Sequence, residues 1–208
     1  MTSPPQWANV PDGLPGAELL ERALGYTRAA LQPVGAADLH APTPCAAWDL
    51  TDLLDHLDDS LAAFTEAAEI GYVDLVPVTG DHGEPQTAVA LVERLRGRAC
   101  ALLAAWSRHD GQAGEGHRIG VSAGRELRSD LLAAAGALEI TVHGWDIARA
   151  CGTERPVPAA LALELLEVVP VLVRAADRPQ RFAAVVDVPG LWSPGDRLLA
   201  LLGRDPTR

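Results

Sequence analysis

The sequence contains no lysine: all 17 of its basic residues are arginine, and 28 acidic residues outnumber them to leave a formal net charge of −11. Phosphate backbones are held by clustered cations, so this balance excludes a nucleic-acid partner. Aromatic residues are scarce, at 4% of 208 residues, while hydrophobic residues make up 48%. The core must therefore be built from Leu, Ala and Val, which favours close-packed helices over a β-sandwich. Only three cysteines occur, Cys45, Cys100 and Cys151, with long spacings and no CxxC pair. That excludes a disulfide framework and a thiolate zinc site. The segment Met1–Asp12 lacks a positive start and an apolar run, so no signal peptide is expected. The longest apolar stretches are broken by Glu139 or Pro170 and fall short of the ~20 residues that span a bilayer. The expectation is a cytoplasmic protein without membrane contact.

Helical periodicity fills the remainder. Leu19, Leu20, Ala23, Leu24, Thr27 and Leu31 mark a first amphipathic helix from Ala17, ended by Pro33 and Gly35. Asp49 reads as the N-cap of a second helix, with Asp52 three residues on, and Leu50, Leu53, Leu54, Leu57, Leu61 and Phe64 form its stripe to about Ile70. Loops are expected over 71–83 and 109–124, around a third helix over roughly 85–107. A fourth helix is expected over 126–150, with Gly152 closing it. Beyond it, 158–176 is helical in pattern with a break at Pro170, 181–188 fits a short strand, and Ser193-Pro194 opens a last short helix ending at Gly203. The expected fold is mainly α, a four-helix bundle over 1–152 with a short α/β extension over 153–208 packing on it.

The chemistry concentrates in the fourth helix. From Leu131 to Val142 the single charge is Glu139, and a lone carboxylate in a helix apolar nearly all round is costly unless compensated. His143, one turn on, shares its face, and Asp146 falls in the same arc of about 60°. Leu132, Ala135 and Ala150 continue the arc, which is expected to face inward. An ExxxH pair supplies two metal ligands, or alternatively an internal Glu–His hydrogen bond. His40, His82, His109 and His117 fall in expected loops or at helix ends. His56 alone sits in mid-helix, at the border of the leucine stripe beside Ser60, Ala63 and Ala67. It is either a ligand at the mouth of a bundle or an ordinary half-exposed histidine.

Three motifs carry a family resemblance. PTPCAAWDLTDLLDHL, from Pro42 to Leu57, resembles the second-helix segment of DinB-like proteins, in the actinobacterial branch that contains mycothiol-dependent maleylpyruvate isomerase. EITVHGWDIARA, from Glu139 to Ala150, is similar to that branch's second metal motif, with ExxxH where many DinB-like proteins have HxxxH. GDRLLALLGRDP, from Gly195 to Pro206, resembles the ending of its short members. The resemblance implies a four-helix bundle whose metal ligands are His56, Glu139 and His143, with zinc as the metal and mycothiol as a possible co-substrate. The C-terminal segment is shorter than the isomerase's second domain.

Such a site would serve a thiol-dependent transferase or isomerase acting on a small electrophile. The alternatives are a non-catalytic bundle binding metal or a small ligand, and a biosynthetic enzyme using the metal as Lewis acid without thiol. Asp146 either orients a ligand histidine or bonds loop backbone. Arg149 faces an anionic substrate or solvent, Cys45 lies in a loop able to approach the site, and Trp48 and Trp145 read as packing residues. A monomer or homodimer is compatible with the sequence.

Overall fold

The computed structural model describes residues 16–45, 48–73, 87–112, 116–121, 124–178, 182–187 and 192–207. By internal contacts the chain divides after Arg155 into a unit spanning Pro15–Arg155 and a second one that holds Pro156–Arg208.

The first unit contains four long helices: α1 (Gly16–Ala30), α2 (Leu50–Ile70), α3 (Ala88–Gln112) and α4 (Ser129–Ala150). α1 packs on α4 and α3, and α2 packs on α3 and α4, so the cyclic order is α1, α4, α2, α3. The chain is thus mainly helical, built on a four-helix bundle. Asp49 caps α2 as the sequence indicates. Its side chain accepts from the Asp52 amide, and the Asp52 side chain accepts from the Asp49 amide. Two of the four amides that a helix start leaves unpaired are thereby satisfied. α4 ends where expected: Gly152 adopts φ 68°, its amide reaches the Arg149 carbonyl, and the Thr153 amide reaches Ala148.

A small sheet interrupts the expected loops. β1 (Tyr72–Val73) pairs in parallel with β2 (Arg118–Val121), which pairs antiparallel with β3 (Arg125–Arg128). Strands of two to four residues leave almost no periodic signal, and only Ile119, Val121 and Val73 are buried in them. Pairing of β3 with β2 also delays the start of α4 from the expected 126 to Ser129, while α3 runs on to Gln112.

α4 is the most enclosed helix, buried on almost every side from Leu131 to Ala148. Ala135 and Glu139 are the exceptions within that span, and Ala150 beyond it is also only half-buried. The arc through Glu139 is therefore mixed: Leu132, His143 and Asp146 face inward and are buried, whereas Ala135, Glu139 and Ala150 are half-buried, and Glu139 stands where α4 meets α2.

In the second unit, α5 (Ala159–Leu172) continues two residues past Pro170 and packs on α6 (Pro194–Leu201). Ser193 and Asp196 cap α6 reciprocally. Phe182–Asp187 runs without ladder pairing, although the Val186 amide bonds the Ala200 carbonyl at 3.0 Å.

Candidate metal centre

Two helices bring the ExxxH pair and His56 together. Glu139 Oε1 accepts from His56 Nε2 at 2.8 Å and lies 3.1 Å from His143 Nε2. Ser60, one turn beyond His56 on the same face of α2, donates its hydroxyl to the same oxygen at 3.3 Å. Spacing alone placed Ser60 beside His56 but gave it no role. The imidazole rings of His56 and His143 stand edge to face, with centroids 4.9 Å apart. The donor atoms of His56, Glu139 and His143 all lie within 4.8 Å of one another.

The arrangement has a wet side and a dry side. The His56 and Glu139 side chains are 34% and 31% exposed, whereas that of His143 is 7% exposed and Asp146 is fully buried. On the dry side, His143 Nδ1 donates to Asp146 Oδ2 at 3.1 Å. Cys45, in the loop before α2, donates its thiol to the same oxygen at 3.4 Å. Trp48, from the same loop, lays its ring 4.5 Å from the His56 ring and 6.1 Å from that of His143. Asp146 thus bonds the histidine, and Trp48 packs on both rings.

Electrostatics follow from this placement. Burial is the strongest influence on Glu139 and pushes its carboxyl up, but the charge of His143 and hydrogen bonds from His143 and His56 together hold it well below the ordinary 4.5. Burial likewise depresses His143 most strongly. The Glu139 charge and hydrogen bonds to Asp146, Cys45 and Glu139 outweigh it and raise the ring well above 6.5. His143 has a carboxylate at each ring nitrogen, and only an imidazolium donates to both.

The donor set fits a divalent cation. Two imidazole nitrogens and a carboxylate oxygen are zinc donors, and tetrahedral zinc at its usual bond lengths separates ligand atoms by about 3.3 Å. The contacts of 2.8 and 3.1 Å need only small expansion to reach that spacing. A cation at this point would replace the Nε2 protons that now link the histidines to Glu139. The Asp146 bond at Nδ1 would stay and keep Nε2 as the coordinating nitrogen.

The other singled-out residues fall elsewhere. His40 bonds Asp49 at 2.9 Å. His109 bonds the Ala68 carbonyl at 3.3 Å and meets the Trp106 and His117 rings edge to face. His82 lies outside the described residues. The Arg149 guanidinium sits 5.6 Å from the centre of the Trp145 ring. Cys100 is exposed, and Cys151 is half-buried with its thiol pushed up by burial. Among the described residues, one other cluster brings possible ligand atoms together, Cys45, His143 and Asp146, and it shares His143 with the first.

The chain belongs to the family described as mycothiol maleylpyruvate isomerase N-terminal domain, whose model matches residues 20–148. It is 27% identical over 198 residues to two uncharacterized proteins of Mycobacterium tuberculosis, one from strain CDC 1551 / Oshkosh and one from strain ATCC 25618 / H37Rv. Each alignment covers 88% of this chain and 94% of the relative. No solved structure matches it. No helix among the described residues is long and apolar enough to cross a membrane.

Proposed function

We propose that His56, Glu139 and His143 hold one divalent metal, zinc by the chemistry of the donors, and that the protein is a thiol-dependent transferase or isomerase acting on a small electrophilic substrate. The observation that carries this reading is the convergence of three donors from two helices at a point half-open to solvent, with a buried carboxylate behind one of the histidines. When bound, a zinc ion with three protein ligands supplies an open position that lowers the pKa of a thiol or water near neutral pH. The family to which the chain belongs favours mycothiol as that thiol.

The chain's own groups have definable parts. His56 and Glu139 form the exposed rim where a small molecule would enter, and Ser60 steadies the Glu139 oxygen. Trp48 covers the histidine rings with an apolar face. Asp146 fixes the tautomer and direction of His143.

Metal analysis of purified protein is expected to return one zinc per chain. His56→Ala and His143→Ala are each expected to lose it on dialysis against a weak chelator, by more than the ~10–100-fold typical of an outer partner. Mycothiol added to cobalt-substituted protein should introduce sulfur-to-metal charge-transfer absorption. Equal, stoichiometric zinc in wild type and His56→Ala would sink the three-ligand site. An unchanged cobalt spectrum at saturating thiol would instead leave a non-catalytic metal-binding bundle or a thiol-free Lewis-acid enzyme.

A further inference from the structure

Cys45 is far from the ExxxH motif in sequence, yet its Sγ lies 3.4 Å from Asp146 Oδ2, the same oxygen that receives His143 Nδ1. Its place is set by a tightly bonded loop. The Thr43 hydroxyl oxygen accepts the Cys45 amide at 3.1 Å and approaches the Trp48 carbonyl at 2.9 Å. The Trp48 amide bonds the Cys45 carbonyl at 2.8 Å, and Pro42 and Asp49 close the base of the loop as a β-bridge. One loop therefore delivers Trp48 to the histidine rings and Cys45 to the carboxylate behind them.

We propose that Cys45 is a positioning residue of the metal centre: its thiol proton holds Asp146, and Asp146 holds the His143 ring with Nε2 aimed at the metal. The proposal rests on the metal reading above. Its physical basis is the complete burial of Asp146. A buried carboxylate that loses a donor is left with solvation it cannot recover from water, so it turns toward whatever donor remains. Rotation of Asp146 tilts the His143 ring and swings Nε2 at the ring's far side. A thiol is a weak donor, so the effect belongs at the low end of the range for outer partners. The role needs no covalent step and no thiolate. It also separates Cys45 from Cys100 and Cys151, which take no part in either cluster of possible ligands.

The test compares zinc affinity, by chelator competition, in wild type, Cys45→Ala, Cys45→Ser, Asp146→Asn and the Cys45→Ala/Asp146→Asn double variant. Cys45→Ala is expected to weaken zinc about tenfold, and Cys45→Ser, which keeps a donor on a shorter bond, to fall between it and wild type. Cys45 also hydrogen-bonds His143 directly, so the Asp146→Asn background separates the two routes: Cys45→Ala is expected to cost less than about twofold there, and a full tenfold cost would overturn action through Asp146. In metal-free protein the His143 Nδ1 proton should be a protected imidazole resonance in wild type and exchange-broadened in Cys45→Ala. Cys45→Ala that binds zinc as wild type does, while His56→Ala is stripped, overturns this proposal alone. Sulfur-to-cobalt charge transfer in wild type without added thiol also overturns it, because Cys45 would then be a ligand. Wild-type protein that holds no zinc overturns the metal reading and this proposal together.

Discussion

His143 sits between two carboxylates, Glu139 at Nε2 and Asp146 at Nδ1, and the consequences can be worked out with their signs. Its pKa is raised on folding, so its contribution to stability is complete below the ordinary 6.5 and is lost as pH rises through the higher folded value. Glu139 is depressed on folding, so its contribution is present above the ordinary 4.5 and is lost as pH falls through the lower folded value. The metal-free protein should therefore be favoured by both groups between about pH 4.5 and 6.5, and its melting temperature should decline above that window. His143→Gln should remove the decline on the alkaline side. A wild-type melting temperature that is flat from pH 6.5 to 9 would show that the ring is not held charged. Zinc must displace the Nε2 proton, so calorimetry in buffers of different ionisation enthalpy should find proton release on binding near neutral pH.

α1 and α4 approach closely because small residues line their contact. A Cβ on Gly144 would come within 2.3 Å of Thr27 Oγ1, and one on Gly136 within 3.2 Å of the Leu20 and Phe64 side chains. Thr27 Oγ1 is itself committed to the Ile140 carbonyl at 2.7 Å, so it has little room to yield. Helix propensity alone says that Ala is better than Gly by about 0.5–1 kcal/mol. At Gly144 the clash decides the sign. Gly144→Ala is expected to destabilise by about 1–3 kcal/mol, as overpacked cores do, and to disturb the adjacent His143. Gly97, exposed on α3 with nothing within 4 Å of its Cβ position, is the control. Gly97→Ala should stabilise by about 0.5–1 kcal/mol. Denaturant unfolding of the two variants checks both signs, and equal shifts would show that close approach does not govern the α1–α4 pair.

All the residues of the proposed metal centre, from Cys45 to Asp146, lie in the unit that ends at Arg155. The family match, residues 20–148, falls within the same unit. Tyr26 donates to the Arg155 carbonyl at 2.8 Å, which fastens the chain after α4 to α1 inside this unit. Burial, the strongest influence on Tyr26, raises its phenol above the ordinary 10.0, so that contribution is lost only in strongly alkaline solution. A chain ended after Arg155 is expected to bind zinc with the stoichiometry of the full protein, measured by metal analysis after gel filtration. Loss of zinc from a truncated protein that still shows cooperative unfolding would mean that the segment after Arg155 contributes to the site.

The helices were legible in the sequence, because each carries enough turns for a 3.6-residue period to show and ends on chemistry that can be read locally. The Asp49–Asp52 box, Gly152 and Ser193-Pro194 are such ends. The sequence also singled out Glu139, since one charge in a largely apolar stretch of twelve residues is costly wherever the helix packs. The strands at 72–73, 118–121 and 125–128 were hidden, because two to four residues are too few to show a period of two and β1 is made only by pairing with a distant segment. Which part of the Glu139 arc stays half-open was likewise not legible in a helix apolar on all sides: the packing of α4 buries Leu132, His143 and Asp146 and leaves Ala135, Glu139 and Ala150 half-buried. The sequence could name His56 as a candidate, but its approach to within 2.8 Å of Glu139 depends on the α2–α4 contact. Cys45 at Asp146 is the clearest case. The two are 101 positions apart, and they meet because the α2–α4 contact carries the loop before α2 to the side of α4 that holds Asp146.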